Sequence, residues 1–343
     1  MILAEYLRSP ATVHRTAGSS SVPTGAGSTH AGRRAALCAL AAGSACAALP
    51  LTARAQSGGD AVIIRFDSSP YVPTPQQVVD EMLRMGRVQA SDFVVDLGSG
   101  DGRIVITAAQ RLGIRGFGVD LDGELVRQAN AAAAQAGVSD RVQFFQRDIF
   151  KTDLAKADVV TMYLLPEVNM MARPKLLAEL KPGSRVVSHD YHFEDWLPDD
   201  RITLKVPEKK VGTPGLAYVY MWIVPAQGAG RWQGKMPVAG GQVLPVEFDL
   251  EQRFQLLTGS VTLGGRAATL VFAEMVGHEL NVIFDAESGG KRVRHELLAL
   301  TRGDEATGTV RVGSDNPVLL KGQAVLARSS RRPAFFGAAP AAK

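Results

Sequence analysis

The stretch from Phe93 to Ile106 constrains the fold more than any other part of the chain. Phe93 to Leu97 is a short apolar run, the pattern of a strand buried on both faces of a parallel sheet. Three glycines at alternate positions, Gly98, Gly100 and Gly102, end it. A helical apolar pattern starts at once, with Ile104, Val105, Ala108, Ala109 and Leu112 on one face. Strand, glycine turn and helix open a nucleotide-binding βαβ unit, in which the turn needs backbone angles closed to other residues and a ligand approaches the main chain closely. A dinucleotide fingerprint is spaced G-x-G-x-x-G and rests a pyrophosphate on the helix N-terminus. Here the spacing is Asp96-x-Gly98-x-Gly100-x-Gly102, with an acid inside the strand end and Asp101 in the loop. Those carboxylates repel a pyrophosphate and suit a ligand that carries an ammonium group.

Strand and helix patterns continue to alternate over residues 60–226, which predicts an open α/β sheet with helices on both faces. Phe117-Gly118-Val119-Asp120 reads as the second strand, and Asp120 at its end is placed to accept hydrogen bonds from both hydroxyls of a ribose. Asp122 reads either as a second ligand contact or as the cap of a helix over 123–136. After a third strand over 141–145, Asp148 is placed to accept from an adenine amino group, with Ile149 and Phe150 as an apolar wall. A fourth strand ends in Tyr163-Leu164-Leu165-Pro166, before a helix expected over 170–180. A fifth, over 185–191, carries Ser188, His189, Asp190 and Tyr191 at its mouth. Ligands of open α/β sheets sit outside the carboxyl ends of the strands. Tyr163, Asn169, His189, Asp190 and Tyr191 are therefore the candidates to border a reacting group, with Tyr163, Asn169 and Asp190 taken as catalytic. Segments 202–206 and 216–224 complete the sheet as a hairpin whose last strand runs antiparallel.

These ordered signals resemble the class I methyltransferases, which use S-adenosylmethionine (SAM), across residues 71–225. Asp96, Gly98, Ser99, Gly100 and Gly102 match the first motif, and Asp120 and Asp148 match by position. The resemblance implies a seven-stranded Rossmann-like sheet with SAM as cofactor. It also implies that the segment of Tyr71 and Thr74, just before a helix starting near Gln76, closes over the methionine end. A narrower likeness joins Val72-Pro73-Thr74-Pro75, the segment from Asp96 to Val105, and the Pro-x-x-Asn-x-x-x-x-Pro run at 166–174. Together they look like bacterial relatives of the mitochondrial protein-lysine methyltransferases, which implies a protein lysine as methyl acceptor.

Methyl transfer from a sulfonium is an in-line displacement that asks for positioning, worth roughly 7–11 kcal/mol, more than for an acid or a metal. His189 and His192 lie three apart, but with no third ligand in view no metal is expected. Lys209-Lys210 reads as a charged pair in a loop, and His278 and His295 as solvated strand residues.

Residues 1–55 read as an export leader. Arg33-Arg34 precede an apolar run from Ala35 to Leu51, and Ala53-Arg54-Ala55 is a small-x-small cleavage pattern leaving Gln56 first. A periplasmic location is expected, with an inner-membrane anchor through an uncleaved leader as the alternative. Both cysteines, Cys38 and Cys46, fall there, so the remainder has neither disulfides nor a thiol nucleophile. Five of the 38 basic residues and one of the 34 acidic residues also fall there, leaving 33 of each. A balanced chain has no nucleic-acid footprint.

The 288 residues after Ala55 fit two domains, over 56–226 and 227–328. In the second, helical periodicity gives way to alternating runs at 243–250, 254–263, 267–272, 280–285, 292–300, 308–312 and 318–327. Turns such as Gly264-Gly265 and Ser288-Gly289-Gly290 suit an antiparallel barrel or sandwich. Trp222 and Trp232 either pack the two parts together or line a cleft, and 329–343 reads as a disordered tail. Beside the methyltransferase reading stands an exported, non-catalytic binding module whose β part meets the envelope.

Overall fold

The computed structural model describes residues 71–313 and 320–336; the expected leader, with both cysteines, lies outside the described residues. Parallel strands β1 (Phe93–Leu97), β2 (Arg115–Asp120), β3 (Val142–Gln146), β4 (Val159–Met162) and β5 (Arg185–His189) form the sheet centre. The hairpin of β6 (Asp200–Val206) and β7 (Gly215–Ile223) adds its antiparallel edge, in the order β3-β2-β1-β4-β5-β7-β6. Side chains alternate across this sheet as a strand period of two demands. Val94, Val159 and Val187 join the core beneath α1 (Gln76–Met85), α2 (Arg103–Leu112) and α3 (Gly123–Gln135). Val95, Val160 and Val186 turn to the other face, covered by α4 (Pro166–Glu179).

Two boundaries differ from the sequence reading for local reasons. Helix α4 begins at Pro166, four residues earlier than expected, because proline suits a first helical position. Strand β5 stops at His189 because Asp190 adopts a left-handed conformation, φ 65°.

Eight further strands close into an antiparallel barrel: β8 (Gly230–Pro237), β9 (Val243–Arg253), β10 (Leu256–Leu263), β11 (Arg266–Val276), β12 (Glu279–Ser288), β13 (Lys291–Arg302), β14 (Glu305–Val312) and β15 (Leu320–Arg331). Closure rests on β15 pairing with β8, and it removes the exposed edges of an open sheet. The sequence reading missed β8: its inward residues Trp232 and Met236 do alternate, but Gly230, Gly234 and Pro237 interrupt the apolar signal. The expected tail at 329 is corrected too. Strand β15 runs to Arg331, and Phe335 exchanges backbone hydrogen bonds with Gln252 and Phe254.

The barrel has its own core, around Phe248 and Phe284, and Phe254 carries an apolar contact from it to the sheet. Phe254, at the turn between β9 and β10, stacks on Trp196 at 6.0 Å and belongs to the same apolar cluster as Phe193, Trp222 and α4. Arg173 of α4 lies over the Phe254 ring and pairs with Asp195, which also binds Arg253 at 2.9 Å. Gln252 fixes the connection between the two parts. Its amide oxygen accepts from the Gly228 backbone, and its nitrogen donates to the Ala226 and Phe254 carbonyls. Trp222 thus packs the junction, while Trp232 is barrel core with its indole N–H donated to the Gly228 carbonyl. Among the described residues no helix is long and apolar enough to cross a membrane.

Candidate active site

A cavity of about 480 Å³ opens at the carboxyl ends of β1, β2 and β4. Its floor is the glycine turn. The backbone N–H groups of Gly98 and Ser99 both donate to the Val119 carbonyl at 2.9 Å, which folds the loop back over β2. Gly102 cannot be replaced cheaply: its φ is 79°, and an added Cβ would sit 2.5 Å from the Phe144 ring and 3.0 Å from Ala129. The tight turn therefore also sets how closely α2 packs on β3 and α3.

Asp120 holds this floor from the next strand. One carboxylate oxygen accepts from the Gly100 N–H at 2.9 Å and the other from the Asp122 N–H at 3.0 Å. Each oxygen keeps a further acceptor site, and Asp120 lines the cavity, as its sequence position required. Asp122 is the cap of α3, accepting from Glu124 and Leu125 N–H groups, and it lines the cavity as well. Asp148 accepts from the Phe150 N–H at 2.8 Å, and this short turn presents Ile149 and Phe150 to the same space.

Asp96 is strongly perturbed. It is 2 % exposed, and its carboxyl accepts from the Thr161 hydroxyl at 2.7 Å. Burial pushes its carboxyl up to about 7, the Thr161 bond opposes this, and the charges of Asp120 and Asp101 add to the rise. Asp101, which the sequence offered as a second open carboxylate, is already neutralised: Arg103 reaches it through Nε at 2.9 Å and through a terminal nitrogen at 2.6 Å. Burial works to raise Asp101, and the Arg103 guanidinium overrides it. The same guanidinium donates to the Thr74 carbonyl at 2.9 Å, which ties the segment of Tyr71 and Thr74 across the cavity mouth. Burial, with Asp101 alongside, pushes the Tyr71 hydroxyl up to about 12. Arg103 carries no periodic or motif signal of this role, and sequence reasoning missed it.

Five carboxylates (Asp96, Asp101, Asp120, Asp122 and Asp148) and one guanidinium line the cavity. That balance excludes a pyrophosphate and fits a cationic ligand. Asp96, buried beside a single hydroxyl, suits an ammonium group, and the Ser99 hydroxyl is buried with no hydrogen-bond partner among the described residues. Acids for a ribose and an amino group, a cation-seeking carboxyl and apolar walls fit SAM.

Of the three candidates for catalysis, Tyr163 lines this cavity, whereas Asp190 lines a second one of about 360 Å³. The Tyr163 hydroxyl donates to Asp190 Oδ2 at 3.2 Å across the wall between them. Asn169 lines neither. It is fully buried in α4, and its amide donates to Ser188 Oγ and the Tyr191 carbonyl, both at 3.2 Å. Its place is behind Tyr191, not against a reacting atom. His189 is buried beneath Tyr163, ring centroids 3.9 Å apart, and its Nδ1 lies 3.3 Å from the Thr74 hydroxyl. Burial lowers its pKa to about 4, so the ring is neutral.

Two residues depart from their sequence reading. Lys209 is no solvated loop lysine: it is 6 % exposed, with Nζ 2.8 Å from Asp190 Oδ2. His295 is 1 % exposed inside the barrel, stacked on its cross-strand partner Phe284 at 4.9 Å; His278 is exposed as expected. Among the described residues no group of three His, Cys, Asp or Glu side chains is placed to hold a metal.

Residues 96–200 match the family described as ANTKMT methyltransferase domain. A protein-lysine N-methyltransferase of Saccharolobus islandicus is 45 % identical over 137 residues, covering 40 % of this chain and 85 % of that protein. An adenine nucleotide translocase lysine N-methyltransferase of Mus musculus is 38 % identical over 130 residues, and the chain spans 56 % of its length. A solved RNA methyltransferase of Salinibacter ruber, in complex with S-adenosyl-L-homocysteine, shares 47 % identity over 45 % of this chain and 94 % of that one, with a TM-score of 0.41. The chain belongs to the class I SAM-dependent methyltransferases, in the family of the protein-lysine N-methyltransferases.

Proposed function

We propose that this enzyme transfers the methyl group of SAM to a lysine side chain of a protein. The observation that carries this reading is the 45 % identity to the Saccharolobus protein-lysine N-methyltransferase over 85 % of its length. The site supports it. Asp120 and Asp148 are assigned to the ribose and the adenine amino group, Asp96 to the ammonium of the methionine end, and Tyr71 and Thr74 to the cover over that end. The glycine turn, with Ser99, carries the ligand, and Ile149 walls the base. Bound SAM supplies an electrophilic methyl on a sulfonium, which a neutral amine displaces in line.

The protein's part is to hold that amine and remove its proton. Tyr163 and Asp190, joined by one hydrogen bond at the wall between the cavities, are the groups placed to do so. Burial, with the Asp190 charge beside it, raises the Tyr163 pKa, so its hydroxyl stays protonated and orients the amine as a donor and acceptor. The Asp190 carboxylate takes the proton that a lysine ammonium must lose before it attacks. Neutral His189 packs under Tyr163 and fixes its ring.

The full-length protein incubated with methyl-labelled SAM and a lysine-rich protein such as histone should transfer label to lysine. Label appearing in RNA and not in protein would overturn the lysine reading.

Export belongs to the same proposal. The paired arginines, apolar run and Ala53-Arg54-Ala55 support a periplasmic enzyme. N-terminal sequencing of protein recovered from the periplasm should begin at Gln56, and recovery only from the membrane with residues 1–55 attached would favour the anchored form.

A further inference from the structure

The second cavity lies on the far side of the Tyr163–Asp190 hydrogen bond from the SAM cavity. The segment leaving β4 divides the two spaces: Tyr163, Leu164, Leu165 and Val168 face the first, and Pro166 and Met170 the second. Apart from Gly212 and Thr213, the rest of the second lining is aromatic and acidic, with Tyr191, His192, Tyr218 and Tyr220 beside Asp190 and Glu194. Aromatic faces accept both an aliphatic stem and a cation, and the carboxylates exclude anions. This is the chemistry of a lysine-sized cationic side chain whose end must reach Asp190.

The chain already supplies such an end. Lys209, on the connection between β6 and β7, places its ammonium 2.8 Å from Asp190 Oδ2 and donates to the Thr213 carbonyl at 3.3 Å. Asp190 Oδ2 therefore accepts from Tyr163 and pairs with Lys209 at once, while its other oxygen accepts from the Tyr218 N–H at 3.2 Å. The Lys209 loop closes directly over the pair: a Cβ on Gly212 (φ 73°) would sit 2.8 Å from Asp190 Oδ2 and 3.1 Å from Lys209 Nζ. A larger residue there must push the ends of the Asp190 and Lys209 side chains aside. A buried carboxylate keeps its charge only with a partner, and another ammonium is an equivalent partner.

Building on the lysine reading above, we propose that the second cavity receives the acceptor side chain and that Lys209 stands in its place. The Lys209 ammonium holds the Asp190 carboxylate until an incoming lysine displaces it and the 207–214 loop opens. Once displaced, the acceptor ammonium gives its proton to Asp190 and forms the N–CH3 bond as the S–CH3 bond of SAM breaks, leaving S-adenosylhomocysteine.

The test uses the full-length protein and the probe N-acetyl-lysine methylamide, with methyl transfer and probe affinity for the S-adenosylhomocysteine complex measured together. Removing the competitor with Lys209→Ala should lower KM and Kd for the probe at least about tenfold, because the competent state no longer pays for displacement. Lys209→Arg, which keeps a cation on Asp190, should stay near wild type. Gly212→Ala, which crowds the Lys209–Asp190 pair itself while leaving Lys209 present, should move both constants in the same direction as Lys209→Ala, and it decides the matter if Lys209→Ala does not fold. Unchanged or weaker probe binding in Gly212→Ala and in folded Lys209→Ala overturns the proposal even where wild type methylates lysine. Absence of transfer to the probe in every variant overturns the lysine reading instead, and the probe affinities still score the cavity assignment.

Discussion

At the carboxyl ends of β1, β4 and β5, Asp96, Ser99, Thr161, His189, Asp190 and Lys209 are all buried, and the Ser99 hydroxyl and His189 Nε2 have no hydrogen-bond partner among the described residues. The barrel buries polar groups too, but nearly always closes their hydrogen bonds. Gln252 uses both ends of its amide on backbone groups, Thr301 donates to the His278 carbonyl, and Asp285 is paired with Arg294. Its inward positions are otherwise Val246, Phe248, Leu250, Val282, Phe284 and Leu297. A satisfied polar group stabilises a fold, whereas an incompletely satisfied one costs stability and is retained where a ligand completes it. Ser99 and His189, left open for a ligand, thus sit at the mouth of the sheet, and Phe254 joins the barrel to it.

Phe254→Ala is the strongest challenge to that division. It removes the ring stacked on Trp196 and under Arg173, at a cost of about 3–5 kcal/mol. Denaturant unfolding followed by tryptophan fluorescence should show sheet and barrel losing stability together. A melt in which only the barrel is weakened would mean that Phe254 does not couple the two parts.

Asp96→Asn probes the unsatisfied side. The folded carboxyl sits at about 7, above the usual 3.8, so its protonated form stabilises the fold at low pH and that contribution is lost as pH rises through about 7. Without ligand, Asp96→Asn should match wild type near pH 4 and exceed it above pH 7 by up to about 4 kcal/mol. The same substitution should weaken SAM binding. A pH-independent difference in stability would contradict the burial account of Asp96. Gly102→Ala forces a left-handed alanine against Phe144 and should cost about 2 kcal/mol with loss of SAM affinity, read by thermal melting with and without ligand.

The smallest effect is expected at a barrel residue that departs from this pattern. His295 Nε2 is buried without a partner among the described residues, and the ring already stacks on Phe284. His295→Phe keeps the stacking and removes the orphaned nitrogen, so stability should change by less than about 1 kcal/mol and methyl transfer not at all. A large loss of activity would give the barrel a chemical role.

What the sequence made legible follows the same division. That the glycine turn, Asp120 and Asp148 line one cavity could be read because each sits at a strand end fixed by local apolar patterning. The pairs Arg103–Asp101 and Lys209–Asp190 could not. In the first, the spacing is local but nothing marks the arginine for a carboxylate and a backbone carbonyl 29 residues away; in the second, the partners meet only once β6 and β7 have folded beside β5. Strand β8 was hidden by its own glycines and proline, and His295 looked solvated because its inward facing depends on its register against Phe284.

The central claim, a live methyl-donor site built on the glycine turn, is tested most directly by calorimetric titration of SAM into the wild-type protein and into Asp120→Ala. Saturable one-to-one binding that falls at least about 100-fold in the variant is the expected result, since two hydrogen bonds to a charged group are lost. Equal affinities in a folded Asp120→Ala protein, or no binding to wild type, would contradict it.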